Sequence, residues 1–459
     1  VRIEEYMIST EIFTKWLEQF INFEREPKKD LLNLDKMRFY AERFGNPQNA
    51  YETIHVAGSK GKGSVSTMIS TCLSEAGFKT GLYTSPHVED FRERVSLAGT
   101  FFSDDAYSKA YLEVMDGFEQ IVAENPATDP TWFEIVTCLS FIIFRNEAVD
   151  YAVFEVGLGG RLDTTNIINP CVCAIMPIEL EHCQYLGDTL AKIAFEKAGI
   201  IKHGVPFFCF EQNEEALQVF QKTADKQNAP MFYMPDLVES LEYKISLAGL
   251  QMSASYKKGS PVGSLFEKPL HTTLKLLDEV QAKNATLVAA LVKYTEPSIP
   301  QHVIESGLSK AWLLGRFEVL RKEPLVVVDG AHTIASLSLS VSTFKKLIGE
   351  KEKGILVLAC AEDKDVEHFA PLFERGFDCI YLTIPGSFKK SNLERLQKAF
   401  ENYYAGKPHT LTISPDFHAI ITDAYSKSTQ NKKPLLIAGS FYLVGEAKKL
   451  IGQCSELLC

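Results

Sequence analysis

Short β-branched runs alternate with helix-length amphipathic stretches along most of the chain, a pattern that predicts a parallel-rich sheet covered by helices on both faces. Two amphipathic helices come first, near residues 8–20 and 31–44. Strands are then expected at 53–57, 80–84, 151–156, 172–176 and 205–210, and helices at 64–76, 104–123, 131–146, 189–201 and 214–225. Residues 231–271 alternate, carry Gly and Ser, and predict a small antiparallel patch ahead of a helix at 283–294. In Glu296-Pro297-Ser298-Ile299-Pro300 two prolines remove backbone donors and stiffen the chain, so a domain boundary is expected there. Beyond it strands at 325–328, 354–359, 379–382, 411–413 and 435–438 again alternate with helices. The expected division is 1–296 and 301–459, both α/β, and two such domains imply a cleft that closes on a ligand.

The length of 459 residues, with 46% hydrophobic and 23% charged positions, excludes a disordered or fibrous chain. The net charge of −11 repels nucleic-acid backbone and anionic lipid, so neither is expected as a partner and any phosphate site must be a local exception. No apolar run approaches the ~18 residues that span a bilayer, and residues 1–10 lack the basic start and apolar stretch of a signal peptide. A cytoplasmic protein is expected. Ten cysteines scattered through apolar segments fit a reducing compartment. Cys171 and Cys173, with His182 and Cys183 nearby, lack the second spaced pair that a zinc site needs.

Ile54-His55-Val56-Ala57 leads into Gly58-Ser59-Lys60-Gly61-Lys62-Gly63-Ser64 and then a helix. Glycines let backbone N–H groups curl around phosphates, the helix N-terminus adds its dipole, and Lys62 can reach the terminal phosphates. This phosphate loop is shorter than the common form and sets a glycine between lysine and Ser64. Phe154-Glu155-Val156-Gly157-Leu158-Gly159-Gly160-Arg161-Leu162-Asp163 ends another apolar strand; it is not a dinucleotide fingerprint, which would need glycine at Leu162. A carboxylate such as Glu155 late in a buried strand is costly unless paired or metal-bound, and magnesium is the favoured reading over a satisfied core carboxylate. Glu181-His182 and Glu196-Lys197 are weak signals taken singly. Farther on, Arg316 is a candidate to clamp a transferring phosphoryl group and Asp329, at a strand end, to accept from a ribose hydroxyl, signals that are only suggestive without the first domain.

Together these residues resemble the folylpolyglutamate synthase and dihydrofolate synthase family, a branch of the Mur-ligase-like amide ligases. The resemblance covers nearly the whole chain and is densest at 55–64, Leu82-Tyr83-Thr84-Ser85-Pro86-His87, 154–166, 185–190, 196–202, Gly315-Arg316, 329–332 and 439–446. It implies a phosphate-loop N-terminal domain and a smaller Rossmann-like C-terminal domain, with ATP between them. It further implies that Ser85 and Glu155 ligate one magnesium, and that His182 holds a second together with a carbamoylated Lys197. Arg316 would reach the γ-phosphate, Asp329 the ribose, His332 the phosphate chain and Asn284 the adenine region. The chain departs from the family at Ser59-Lys60 (usually Thr-Asn), Glu181 (Asp), Thr333-Ile334 (Asn-Pro) and Val280 (His), which leaves the phosphate lysine and metal ligands intact.

The chemistry this implies is ATP-dependent joining of L-glutamate to a folate or dihydropteroate carboxylate through an acyl phosphate, with Lys62, His182, Lys197 and Arg316 as the catalytic set. Pro130-Thr131-Trp132-Phe133-Glu134 resembles the family's T-x-F-E segment, so Thr131, Phe133 and Glu134 are candidates for the pterin pocket, although an aromatic at helical spacing is more often core. A monomer acting on small molecules is expected. Two further readings stay open: a Mur-type ligase for a cell-wall or polyamino-acid substrate, and a non-catalytic nucleotide-binding descendant.

Overall fold

The alternation folds into two large sheets. In the computed structural model, which describes residues 7–22, 33–386 and 389–456, the first sheet contains β1 (Glu52–Ala57), β2 (Thr80–Tyr83), β3 (Val95–Leu97), β4 (Tyr151–Glu155), β5 (Val172–Ile175), β6 (Phe207–Cys209) and β7 (Met231–Tyr233), in the order β3-β2-β4-β1-β5-β6-β7. Every neighbouring pair is parallel except β2 with β3. β4 and β5 are buried from end to end, as strands between two helical layers must be. The register sets Val56 opposite Glu155 and Ala57 opposite Ile175, so the carboxyl ends of three adjacent strands line up where ligands of parallel sheets collect.

The helix Lys62–Glu75 follows β1 and is buried over most of its length. Against it lies the helix Gln301–Lys310, so closely that a Cβ on Gly307 would stand 2.6 Å from Cys72 Cα. Ser306 and Lys310 both bond Glu75, at 2.8 and 2.6 Å. The helix beyond the proline segment therefore packs within the first of two compact units, and the chain passes to the second at Trp312–Leu313. Residues 243–251 and 274–281 also group with the second unit. An aromatic cluster including Phe13, Tyr40, Tyr111, Phe118, Phe141, Phe144 and Phe154 fills one core of the first unit.

Differences from the sequence expectation have local causes. The helix expected at 31–44 is Leu34–Arg43, capped by Asn33, and residues 31–32 lie outside those described. The helix expected to reach 201 ends at Lys197 and becomes a 3-10 turn, Ala198–Ile200, where a Cβ on Gly199 would meet Arg161 Cα at 2.3 Å. Of the expected patch, Met231–Tyr233 joins the large sheet instead; β8 (Val238–Ser246), β9 (Gly249–Tyr256) and β10 (Leu270–Leu274) form a separate one, ordered β10-β9-β8.

The second unit carries β11 (Glu318–Lys322), β12 (Leu325–Asp329), β13 (Gly354–Leu358), β14 (Phe377–Leu382), β15 (Thr410–Ile413) and β16 (Leu435–Ala438), in the order β11-β12-β16-β13-β14-β15. Only β11 runs antiparallel to its neighbour. β3 and β11, both missed in the sequence, are short edge strands without the apolar runs that betray the central ones. Among the described residues no helix is long and apolar enough to cross a membrane.

Candidate active site

The loop after β1 is built on backbone that only glycine tolerates. Gly58 has φ +142°, and a Cβ there would stand 2.5 Å from Met176 Cβ; Gly61, at φ +86°, lies against the buried Asn284 amide. Ser59 is buried, its N–H donating to Pro177 O and its hydroxyl accepting from Glu179 N at 3.0 Å, so the loop is sewn to the segment after β5. Gly63 and Ser64 lie buried in the first turn of the helix, whose free N–H groups face the loop. Lys62 folds back to donate to Gly58 O (3.0 Å) and Ser59 O (3.4 Å).

Lys197 meets it from the other side. Gly160 and Gly199 allow the end of helix Leu190–Lys197 to lie on the loop after β4, where Arg161 N donates to Glu196 O and Asn166 Nδ2 to Gly199 O. That seating carries the buried Lys197 Nζ to within 2.8 Å of the same Gly58 carbonyl. Burial first, then Lys62, pull its ammonium down to about 7, although Glu181 opposes them from 3.9 Å. The carboxylate of Glu181 is subject to burial, which would raise it, but Lys60 (2.9 Å), Lys62 and Lys197 hold it down at about 2. Three lysines around one carboxylate leave a net positive pocket suited to an anion. His182, next in the chain, is exposed and in the left-handed region at φ 50°.

At the end of β4 the buried Glu155 accepts from Ser85 N at 3.1 Å. Gly157 keeps the adjoining space clear: a Cβ there would lie 3.8 Å from Ser85 Oγ, 3.7 Å from Phe133 and 3.4 Å from Asp163. The loop is held by Asp163, which accepts from Leu158 N (2.9 Å) and from Thr165, whose hydroxyl also meets His55 Nε2 at 2.9 Å. Burial lowers His55 to about 3, so its imidazole is neutral. Among the described residues no three His, Cys, Asp or Glu side chains form a metal cage. A hydroxyl and a carboxylate do fit magnesium, which keeps few protein ligands and takes the rest from water and phosphate. The second expected set fits only if Lys197 gains oxygens, because its amine supplies none.

Phe133 is half-buried near Gly157, whereas Thr131 and Glu134 are buried and bonded to each other in a capping box at the start of helix Trp132–Asn146. Their polar atoms fix the helix end that presents Phe133. The buried Arg94, which the sequence reading did not single out, lies 4.7 Å from the Trp132 ring and donates to His87 Nδ1 at 2.7 Å.

In the second unit Arg316 lies 4.3 Å from the Phe441 ring. Asp329, at the end of β12, accepts from Ala331 N (3.2 Å), and burial pushes its carboxyl up to about 6 despite nearby Arg316, with Asp278 adding to the rise. His332 Nδ1 is 2.7 Å from Gly330 O, and Thr333 caps the helix Ile334–Ile348, so the departure at these positions keeps a helix start. Asp278 escaped the sequence reading because nothing local distinguishes it from a surface carboxylate.

Residues 56–292 match the Mur ligase middle domain and residues 315–441 the Mur ligase glutamate ligase domain. The chain is 30% identical over 437 residues to the dihydrofolate synthase/folylpolyglutamate synthase of Bacillus subtilis, covering 95% of this chain and 97% of that one. Its fold is similar to Mycobacterium tuberculosis folylpolyglutamate synthase complexed with ADP, with TM-score 0.84, 26% identity and coverage of 96% and 98% of the two chains. It is also similar to an FPGS–AMPPCP–folate complex, with TM-score 0.78, 25% identity and coverage of 97% and 100%.

Proposed function

Since the chain belongs to the dihydrofolate synthase/folylpolyglutamate synthase family of Mur-type ligases, we propose that it uses ATP to join the amine of L-glutamate to the carboxylate of a folate or dihydropteroate. The observation that carries this reading is the convergence of Lys62 and Lys197 on Gly58 O beside Glu181, a cationic pocket at the mouth of a glycine loop. A carboxylate is inert to amines until one oxygen becomes a leaving group. In the proposed reaction that oxygen attacks the γ-phosphorus of ATP, ADP departs, the glutamate amine adds to the acyl carbon, and phosphate leaves as the amide forms.

Within this reading, the N–H groups and side chains of Gly58, Ser59, Lys60, Gly61, Gly63 and Ser64 cradle the phosphates. Lys62 turns from the carbonyls to the γ-phosphoryl and stabilises the charge that spreads there during transfer. Arg316 takes the same phosphoryl group, Asp329 a ribose hydroxyl, His332 the phosphate chain and Asn284 the adenine. Magnesium held by Ser85 and Glu155, and a second ion by His182 and a carbamoylated Lys197, would supply charge neutralisation on the phosphate oxygens. The low value of Lys197 supports the modification, because only the neutral amine adds to carbon dioxide, forming the N–C bond and releasing a proton. Phe133 forms a wall of the pterin pocket, with Thr131 and Glu134 setting its helix. The functional division is proposed at the proline segment, 1–296 and 301–459, with the helix Gln301–Lys310 packed in the first unit, and the protein as a cytoplasmic monomer that takes small molecules, not nucleic acid or membrane.

The test is phosphate release with ATP, glutamate and each of dihydropteroate, tetrahydrofolate and a muropeptide in turn. Release with either pterin, matched by glutamylated product, supports the reading. Release only with the muropeptide assigns a cell-wall ligase, and none with any acceptor rejects the activity.

A further inference from the structure

The Arg316 side chain sits on a turn that holds one of its residues, Phe317, in a backbone conformation that residue would not choose. Gly315 is at φ +64° and Phe317, a bulky residue, at φ +42°, so both neighbours of Arg316 occupy the left-handed region. Non-glycine residues stay there only when surrounding contacts over-determine them. Three contacts do so. Gly315 O accepts from Gly330 N at 2.8 Å, tying the turn to the end of β12. Gly315 N donates to Glu318 Oε2 at 2.9 Å, closing the turn on the side chain three residues ahead. Phe441 lies over Arg316, and a Cβ on Gly330 would stand 2.2 Å from its ring.

Glu318 is a buried carboxylate with 7% of its side chain exposed, which is tolerable only with a partner. That partner is Lys448, whose Nζ lies 2.6 Å from Glu318 Oε1. Phe441 and Lys448 come from one helix, Phe441–Glu456, seven residues and so two turns apart, on a single face. One helix face therefore supplies both the ring beneath the guanidinium and the cation that anchors the turn.

We propose that Glu318 and Lys448 are positioning residues for Arg316: their ion pair locks the 315–318 turn so that the guanidinium is delivered from the Phe441 ring in one orientation. Neither residue touches the reacting atoms. The proposal rests on the reading of Arg316 as the phosphoryl clamp, and a double-mutant cycle separates the two. Steady-state rates are measured for Glu318→Gln and Lys448→Met, each alone and on an Arg316→Ala background, with thermal unfolding of every variant as a control on folding.

Each single change should lower kcat by about tenfold while KM for ATP moves by less than about threefold, because the interaction lost is one made in the transition state. On the Arg316→Ala background the same changes should cost less than about twofold, since there is no guanidinium left to place. An equal loss in both backgrounds, or a rise in KM with kcat unchanged, assigns the pair to stability alone and overturns the proposal. Arg316→Ala with wild-type kcat removes the clamp reading, and the proposal with it. Should the Glu318 variant not fold, Phe441→Leu enters the same cycle: a loss that vanishes without Arg316 supports the device, and one that persists refutes it.

Discussion

In the first unit Lys62 and Lys197 are both held by one backbone carbonyl, Gly58 O, whereas in the second Arg316 is held by an aromatic ring and a turn with two left-handed residues. The lysine site is assembled from backbone and charge: glycines set the loop, and Lys60, Lys62 and Lys197 gather at the Glu181 carboxylate. The arginine site is assembled from packing, with Phe441 and the buried Glu318–Lys448 pair fixing a planar fork. A point charge on a flexible stem needs only an electrostatic pocket, while a guanidinium that must meet phosphate oxygens in plane needs its orientation fixed. The two regions should therefore fail in different ways.

The largest effect is expected at Lys62. Lys62→Ala should lower turnover by about a hundredfold or more, the scale of losing a group that stabilises transferring charge, with the thermal midpoint shifted by no more than about 3 °C. Phosphate release and thermal unfolding check both halves, and a folded, active variant would break the assignment of the loop. Arg316→Ala should lower kcat by more than about tenfold and leave ATP binding nearly intact, as measured by calorimetry. Loss of binding in place of rate would make Arg316 an ordinary substrate anchor.

Gly330→Ala sharpens the packing side of the contrast. Its methyl would press on the Phe441 ring, so a destabilisation of about 1–3 kcal/mol in denaturant titration is expected, with a fall in kcat as the ring beneath Arg316 moves. The smallest effect belongs to Lys60→Asn. Lys60 helps to depress Lys197, so its removal should raise that amine above its value of about 7 and move the acid limb of the rate to higher pH. The sign follows from the charge: one less cation nearby makes protonation of Lys197 easier. Loss of Lys60 also relaxes Glu181 upward from about 2, so the stability that its ionised form contributes, present above the ordinary carboxylate range, should fade at a higher pH on acidification. An unmoved acid limb would detach Lys60 from this cluster.

What the sequence made legible follows the same contrast. The phosphate loop, the strand carrying Glu155 and the central strands of both sheets depend on local patterns: glycine spacing, apolar runs, a helix directly after a strand. The meeting of Lys62 with Lys197 depends on residues 135 positions apart, and only the seating of Gly160 and Gly199 on their neighbours makes it. The ring under Arg316 and the Glu318–Lys448 pair likewise join residues far apart in sequence, and short edge strands such as β11 carry no apolar run to announce them. The helix Gln301–Lys310 shows the limit of punctuation: two prolines mark a bend before it, but its apolar face and Gly307 send it back onto the helix Lys62–Glu75.

The proposed chemistry turns on activation of a carboxylate by phosphoryl transfer. The most direct measurement is to supply dihydropteroate or a tetrahydrofolate labelled with ¹⁸O in the accepting carboxylate, together with ATP and L-glutamate, and to weigh the phosphate released. One labelled oxygen carried from carboxylate to phosphate for each amide formed is the predicted result. Amide formation that leaves the phosphate unlabelled would contradict an acyl phosphate, and with it the proposed roles of Lys62 and Arg316 in phosphoryl transfer.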